Sequence, residues 1–80
     1  MTLSAAVRHR LKQLCDEQGI SVNRLAYISA VPPSSLKNIL YGKSESPKVK
    51  TIKMLCDGMG ITLSEFFTSL EFDNLEQEVK

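Results

Sequence analysis

Apolar residues recur along this chain every three or four positions, and glycines and prolines punctuate the runs. Leu3, Val7, Leu11 and Leu14 share one face at helical spacing and predict a first helix from about Leu3 to Gln18. Gly19 then suits a left-handed C-terminal cap. Ser21 can cap a second helix whose inner side is Val22, Leu25, Ala26 and Ser29. Ala30 and Val31 make a turn. Pro33 opens a third helix at a place where a missing N–H costs nothing, with Leu36, Ile39 and Leu40 as its apolar stripe and Gly42 as its end. Lys43 to Pro47 reads as a polar loop. A fourth helix is expected from about Lys48 to Gly58, with Val49, Ile52, Leu55, Cys56 and Met59 facing inward and Gly60 marking the stop. Thr62 and Glu65 have the spacing of a capping box, which opens a fifth helix with Leu63, Phe66, Phe67 and Leu70 on its inner side. Phe66 and Leu70 are the expected core residues of that stripe. Asp73 is placed to cap a last short helix carrying Leu75 and Val79. No stretch alternates with period two for long enough to suggest a strand. The pattern therefore predicts an all-α fold of five packed helices in residues 1–70, followed by a short tail at 71–80, helical at least in part.

Eighty residues make one small domain with a modest core, which a partner subunit can enlarge. No apolar run spans a membrane, and Arg8, His9, Arg10 and Lys12 break up any signal-peptide core, so a cytoplasmic location is expected. The two cysteines, Cys15 and Cys56, fall at apolar helical positions and read as buried reduced thiols. His9 is the sole histidine, too few ligands for a metal site. No nucleophile or acid is placed to join it, and there is no glycine-rich phosphate loop. No catalytic residue and no cofactor are expected.

The net charge of +1 hides an asymmetry. Residues 1–53 hold nine Lys and Arg against three Asp and Glu, whereas residues 54–80 hold one Lys against six acids. A basic body with an acidic end suggests one face for phosphate and another turned away from it; two solvated faces without a role would look the same. The stretch Ile20–Gly42 tips the balance. It reads as two short helices joined by a tight turn, the second with small polar residues outward, a shape that suits a DNA major groove. At 100° per residue, Ser34, Lys37, Asn38 and Tyr41 lie opposite Leu36, Ile39 and Leu40.

Over residues 8–70 the chain resembles the lambda-repressor-like, or Xre-type, helix-turn-helix family. The resemblance is carried by Leu11 and Leu14; Gly19, Ile20 and Ser21; Leu25 and Ala26; Val31; Ser34, Ser35 and Leu36; Ile39 and Gly42; Pro47; Ile52; and Gly60, Ile61, Thr62 and Leu63. It implies a five-helix DNA-binding domain that reads DNA specifically, usually as a dimer, in bacteria or their phages. The chain departs from the family in three places. Ala30 stands where Gly is common in the turn, at some strain if the backbone needs positive φ. Val22 and Pro33 replace a pair of Gln residues, so that pair's phosphate and base contacts are missing. Cys15 and Leu40 replace an Arg and a Glu that form a buried ion pair in many relatives. Losing both charges together is tolerable where losing one is costly.

The expected function is a sequence-specific DNA-binding transcriptional regulator, a repressor, reading the major groove of double-stranded DNA with residues 33–41. Ser34, Lys37 and Asn38 are the candidate base contacts: Asn pairs with adenine, Lys reaches guanine, Ser is permissive. Ser21, Asn23, Ser35, Tyr41 and Lys43 are the candidate phosphate contacts, with Arg24 and Lys48 behind them. Ser21 serves as a plain cap in either case. Arg8, Arg10 and Lys12 are assigned no role beyond solubilising helix one. A homodimer on a palindromic operator is expected, with Phe72, Leu75 and Val79 as interface candidates; a tail folded back on its own subunit is the competing arrangement. The competing function is an antitoxin-like or other interaction module whose main partner is a protein. No sensor domain is recognised in these residues, so control by a partner, by concentration or by proteolysis is expected.

Overall fold

The computed structural model describes residues 1–42 and 47–79, and the described residues form six helices and no strand. They are α1 (Leu3–Gln18), α2 (Val22–Ser29), α3 (Pro33–Tyr41), α4 (Val49–Met59), α5 (Leu63–Phe67) and α6 (Leu70–Asp73). The expected loop after Gly42 lies largely outside the described residues.

The caps explain the boundaries. The Thr2, Ser21 and Thr62 hydroxyls each accept the amide three residues on, at the starts of α1, α2 and α5. At α5 the Glu65 carboxylate also accepts the Thr62 amide, which completes the capping box. α1, α2 and α4 all end in a left-handed residue. Two are glycines; the third is Ala30, at φ 56°. An L-residue there is strained by about 1 kcal/mol. The strain persists because the turn is otherwise well bonded: the Val31 amide reaches the Ala26 carbonyl at 3.1 Å.

One core joins the elements. Val7, Leu11, Leu14 and Cys15 of α1 meet Leu25 and Ala26 of α2, Leu36 and Leu40 of α3, Ile52, Leu55, Cys56 and Met59 of α4, and Phe66 of α5. α2 packs closely on α4 and on α3, α3 also on α1, α5 on α4, and α6 on α1. At the α2–α4 crossing Gly58 lies directly against Ser29, whose buried hydroxyl has no hydrogen-bond partner. This crossing holds the α2–α3 pair on the scaffold.

Several expectations need correction. Phe67, expected on the inner side of α5, is 37% exposed. His9, expected to have no acid beside it, meets the Glu71 carboxylate at 2.6 Å. α4 runs one residue later than expected, with Lys48 as its N-cap, and Val49 is 70% exposed instead of inward. Val49 sits at the helix's first position, about 60° to the side of Ile52, beside exposed Lys48 and Lys50. Leu70 is 78% exposed and fills no core. A helix continuing from Phe66 would turn Leu70 inward, but the chain breaks at Thr68 and Ser69, where Thr68 takes ψ 85°. The Ser69 hydroxyl then accepts the Glu71 amide and starts α6 afresh, so Phe72 turns inward and packs on Phe66 and Phe67. Finally, Asp73 ends a helix instead of opening one, and residues 75–79 are not helical. The Glu76 amide reaches the Met1 carbonyl at 3.3 Å, which ties the tail to the start of its own chain.

Candidate nucleic-acid interface

α3 is short, and its buried side is only Leu36 and Leu40, with Ile39 half-buried. Those side chains seat it against α2 and α1 and leave Ser34, Ser35, Lys37, Asn38 and Tyr41 exposed. All three candidate base contacts therefore share the outward face of one rigid element. Pro32 and Pro33 begin the helix without a side-chain cap. Neither proline carries an N–H, so the first turn has fewer free donors to satisfy.

The start of α2 lies beside the end of α3. Lys12, Cys15, Asp16, Ile20, Ser21, Val22, Leu40 and Tyr41 line an open notch of about 380 Å³ between α1, α2 and α3. Two candidate phosphate contacts far apart in sequence, Ser21 and Tyr41, thus border the same notch. Asn23 is exposed at the first turn of α2, where free amides and the helix dipole favour an anion. The Arg24 guanidinium lies 5.5 Å from the centroid of the exposed Tyr27 ring on the same helix. Lys48 is exposed at the head of α4. Lys43 lies outside the described residues.

The cysteines are buried. Burial pushes the Cys15 thiol up from its ordinary pKa, and the neighbouring Asp16 charge adds to the effect. Burial likewise raises Cys56, with smaller opposing contributions from nearby charges. Both thiols stay protonated and unreactive at neutral pH.

Two cations on α1 have specific partners that periodicity did not reveal. The Arg10 guanidinium donates to the Phe66 and Glu65 carbonyls, at 2.7 Å each. It so satisfies the C-terminal end of α5, which is too short to satisfy its own. The Lys12 ammonium sits over the Tyr41 ring. Neither contact has a local signal, because the partners lie dozens of residues apart.

The C-terminal candidates divide. Phe72 is half-buried on its own core and Leu75 is half-buried, while Val79 is 84% exposed. Phe67, at 37%, and Leu70 add exposed apolar surface at the same end.

A family model of the Cro/C1-type HTH DNA-binding domain matches residues 10–69, three quarters of the chain. The chain belongs to this family. A Cro/C1-type domain is a DNA-binding unit, not an enzyme, and DNA is its ligand. Among curated proteins the chain is similar to the HTH-type transcriptional regulator PuuR of Escherichia coli K12, at 36% identity over 62 residues. It matches the protein of the same name from Shigella flexneri equally well. Each match covers 78% of this chain and 33% of the relative, so the chain spans about a third of their length. Among solved structures it is similar to prophage Lp1 protein 11, with a TM-score of 0.83 and 25% identity, covering 94% of this chain and 99% of that one. Among the described residues of this Cro/C1-type chain, no helix is long and apolar enough to cross a membrane.

Proposed function

We propose that this chain is the operator-reading part of a transcriptional repressor and binds a palindromic site as a homodimer. The observation that carries the reading is the exposed Ser34, Lys37 and Asn38 face of α3, held by a fully buried Leu36 and Leu40. These side chains read base edges in the major groove. Ser21, Asn23, Ser35, Tyr41 and Lys43 fix the register on the phosphates. The resemblance to regulators, over the domain they share, supports a role in transcription.

One such unit reads only a few base pairs. Two units spaced by about one helical turn, ~34 Å, read a palindrome. The exposed Phe67, Leu70 and Val79 supply apolar surface on α5, α6 and the tail; α5 packs on α4 and α6 on α1. Phe72 is half-buried against Phe66 and Phe67, and Leu75 is half-buried. Analytical ultracentrifugation with gel shifts on full and half sites tests the reading. A dimer that binds the full palindrome cooperatively supports it. A monomer that binds DNA weakly but copurifies with a stoichiometric protein partner would instead establish a protein-interaction module.

A further inference from the structure

We propose that Lys12, on α1, is a phosphate-binding residue of the DNA interface, held in position by the Tyr41 ring at the end of α3. The inference rests on the DNA-binding reading above and adds to it a contact from outside the α2–α3 pair. Three observations carry it. The Lys12 ammonium lies 5.0 Å from the Tyr41 ring centroid, inside the ~6 Å within which a ring quadrupole attracts a cation. The same two side chains line the notch with Ser21 and Val22, so Lys12 borders the same opening as the first residues of α2 and the last of α3. Asp16 lies one helical turn beyond Lys12, at the spacing where helix cations commonly pair with acids. Yet among the described residues the contacts between basic and acidic side chains are His9–Glu71 and Lys53–Asp57, and Lys12 turns to the ring instead.

The arrangement has a physical consequence. Lys12 and Tyr41 are both exposed, so the ammonium stays at the surface while its contact with the ring favours one placement of the long side chain. Ordering before binding lowers the entropy lost when a phosphate arrives. Arg10, the neighbouring cation on α1, is occupied by the α5 carbonyls. Asp16 borders the same notch with a charge that repels phosphate, and Lys12 offsets it.

The test is a DNA titration of the full chain on its selected site over a range of salt concentrations. One phosphate contact contributes about 0.9 to the log–log salt slope of B-DNA binding, equivalent to roughly eightfold in affinity at 0.1 M salt. Lys12→Gln should lose that much of both, and Lys12→Arg should restore the slope. In a Tyr41→Leu background, which removes the ring, Lys12→Gln should cost less than it does in the wild-type background. Asp16→Asn should tighten binding. Circular dichroism confirms that each variant is folded. An unchanged slope in Lys12→Gln, with wild-type binding intact, overturns the phosphate role alone. An undiminished Lys12→Gln cost in the Tyr41→Leu background overturns the positioning by Tyr41. A wild-type chain that binds no DNA overturns both this inference and the function it rests on.

Discussion

Gly58→Ala places a methyl group at the closest approach of α2 and α4. A Cβ at residue 58 overlaps the Ser29 hydroxyl and stands 3.0 Å from both Cα and Cβ of Ser29. Rotating the hydroxyl away relieves only the first contact. The other two belong to the backbone of α2 and its first side-chain atom, so the helices must part. Two effects of opposite sign then compete. Inside a helix, Ala is better than Gly by about 0.8–1 kcal/mol. Overpacking a filled site costs about 1–3 kcal/mol, and contacts this short belong at the upper end. The expected net effect is a loss of about 2 kcal/mol. At about 4–8 °C per kcal/mol for a domain of this size, the melting temperature should fall by roughly 8–16 °C. Ser29→Ala should act the other way, because it removes a buried hydroxyl that has no partner; a gain of about 1 kcal/mol is expected. In that background Gly58→Ala should be milder by about 1 kcal/mol, since the first obstacle is gone and the other two remain. Thermal unfolding of the four proteins by circular dichroism reads all of these. A Gly58→Ala protein more stable than wild type, as helix propensity alone predicts, would refute the packing argument. Equal Gly58→Ala costs in both backgrounds would refute the part assigned to the hydroxyl.

Ala30→Gly should stabilise the chain by about 1 kcal/mol, because Ala30 sits at φ 56° and Gly relieves that strain; a lower melting temperature would contradict this. Leu40→Glu should cost about 3–5 kcal/mol by burying an unpaired carboxylate. Cys15 and Leu40 are both buried and border the same notch, so adding Cys15→Arg should recover much of that loss, and a double variant no more stable than Leu40→Glu would show that the two do not pair. Burial raises both thiol pKa values, so the native state holds those protons more tightly than the unfolded chain. Stability should therefore be full below the unfolded thiol range near ~8.5 and decline as pH rises above it. Denaturant midpoints measured from pH 7 to 10 on wild type and Cys15→Ser/Cys56→Ser check the sign, and a decline as steep in the double variant would assign it elsewhere.

The helices that carry strong periodicity were legible from the chain. α1 and α3 have the expected bounds, and the Thr62–Glu65 box marks the start of α5. Ala30, singled out by the resemblance as a strained turn residue, does adopt the left-handed conformation. What pattern could not supply was the end of α5. A periodic stripe assumes that the helix goes on, and the break at Thr68 and Ser69 exchanges Leu70 for Phe72 as the inward residue. The partners of Arg10 and Lys12 were hidden for a related reason. Both lie on a polar face that suits solvent equally well, and their contacts depend on tertiary placement of α5 and α3. The polar face of α3 was visible, since its alternation with Leu36 and Leu40 is local.

Selection of bound sequences from a random double-stranded DNA pool, with wild type and Asn38→Ala run in parallel, decides whether α3 reads bases. Wild type should enrich a palindrome with an adenine at one symmetric position. Asn38→Ala should bind that site about 1–3 kcal/mol more weakly and lose its preference at that position while keeping the others. An Asn38→Ala protein that selects the same bases with the same stringency at every position would show that α3 does not read them through Asn38.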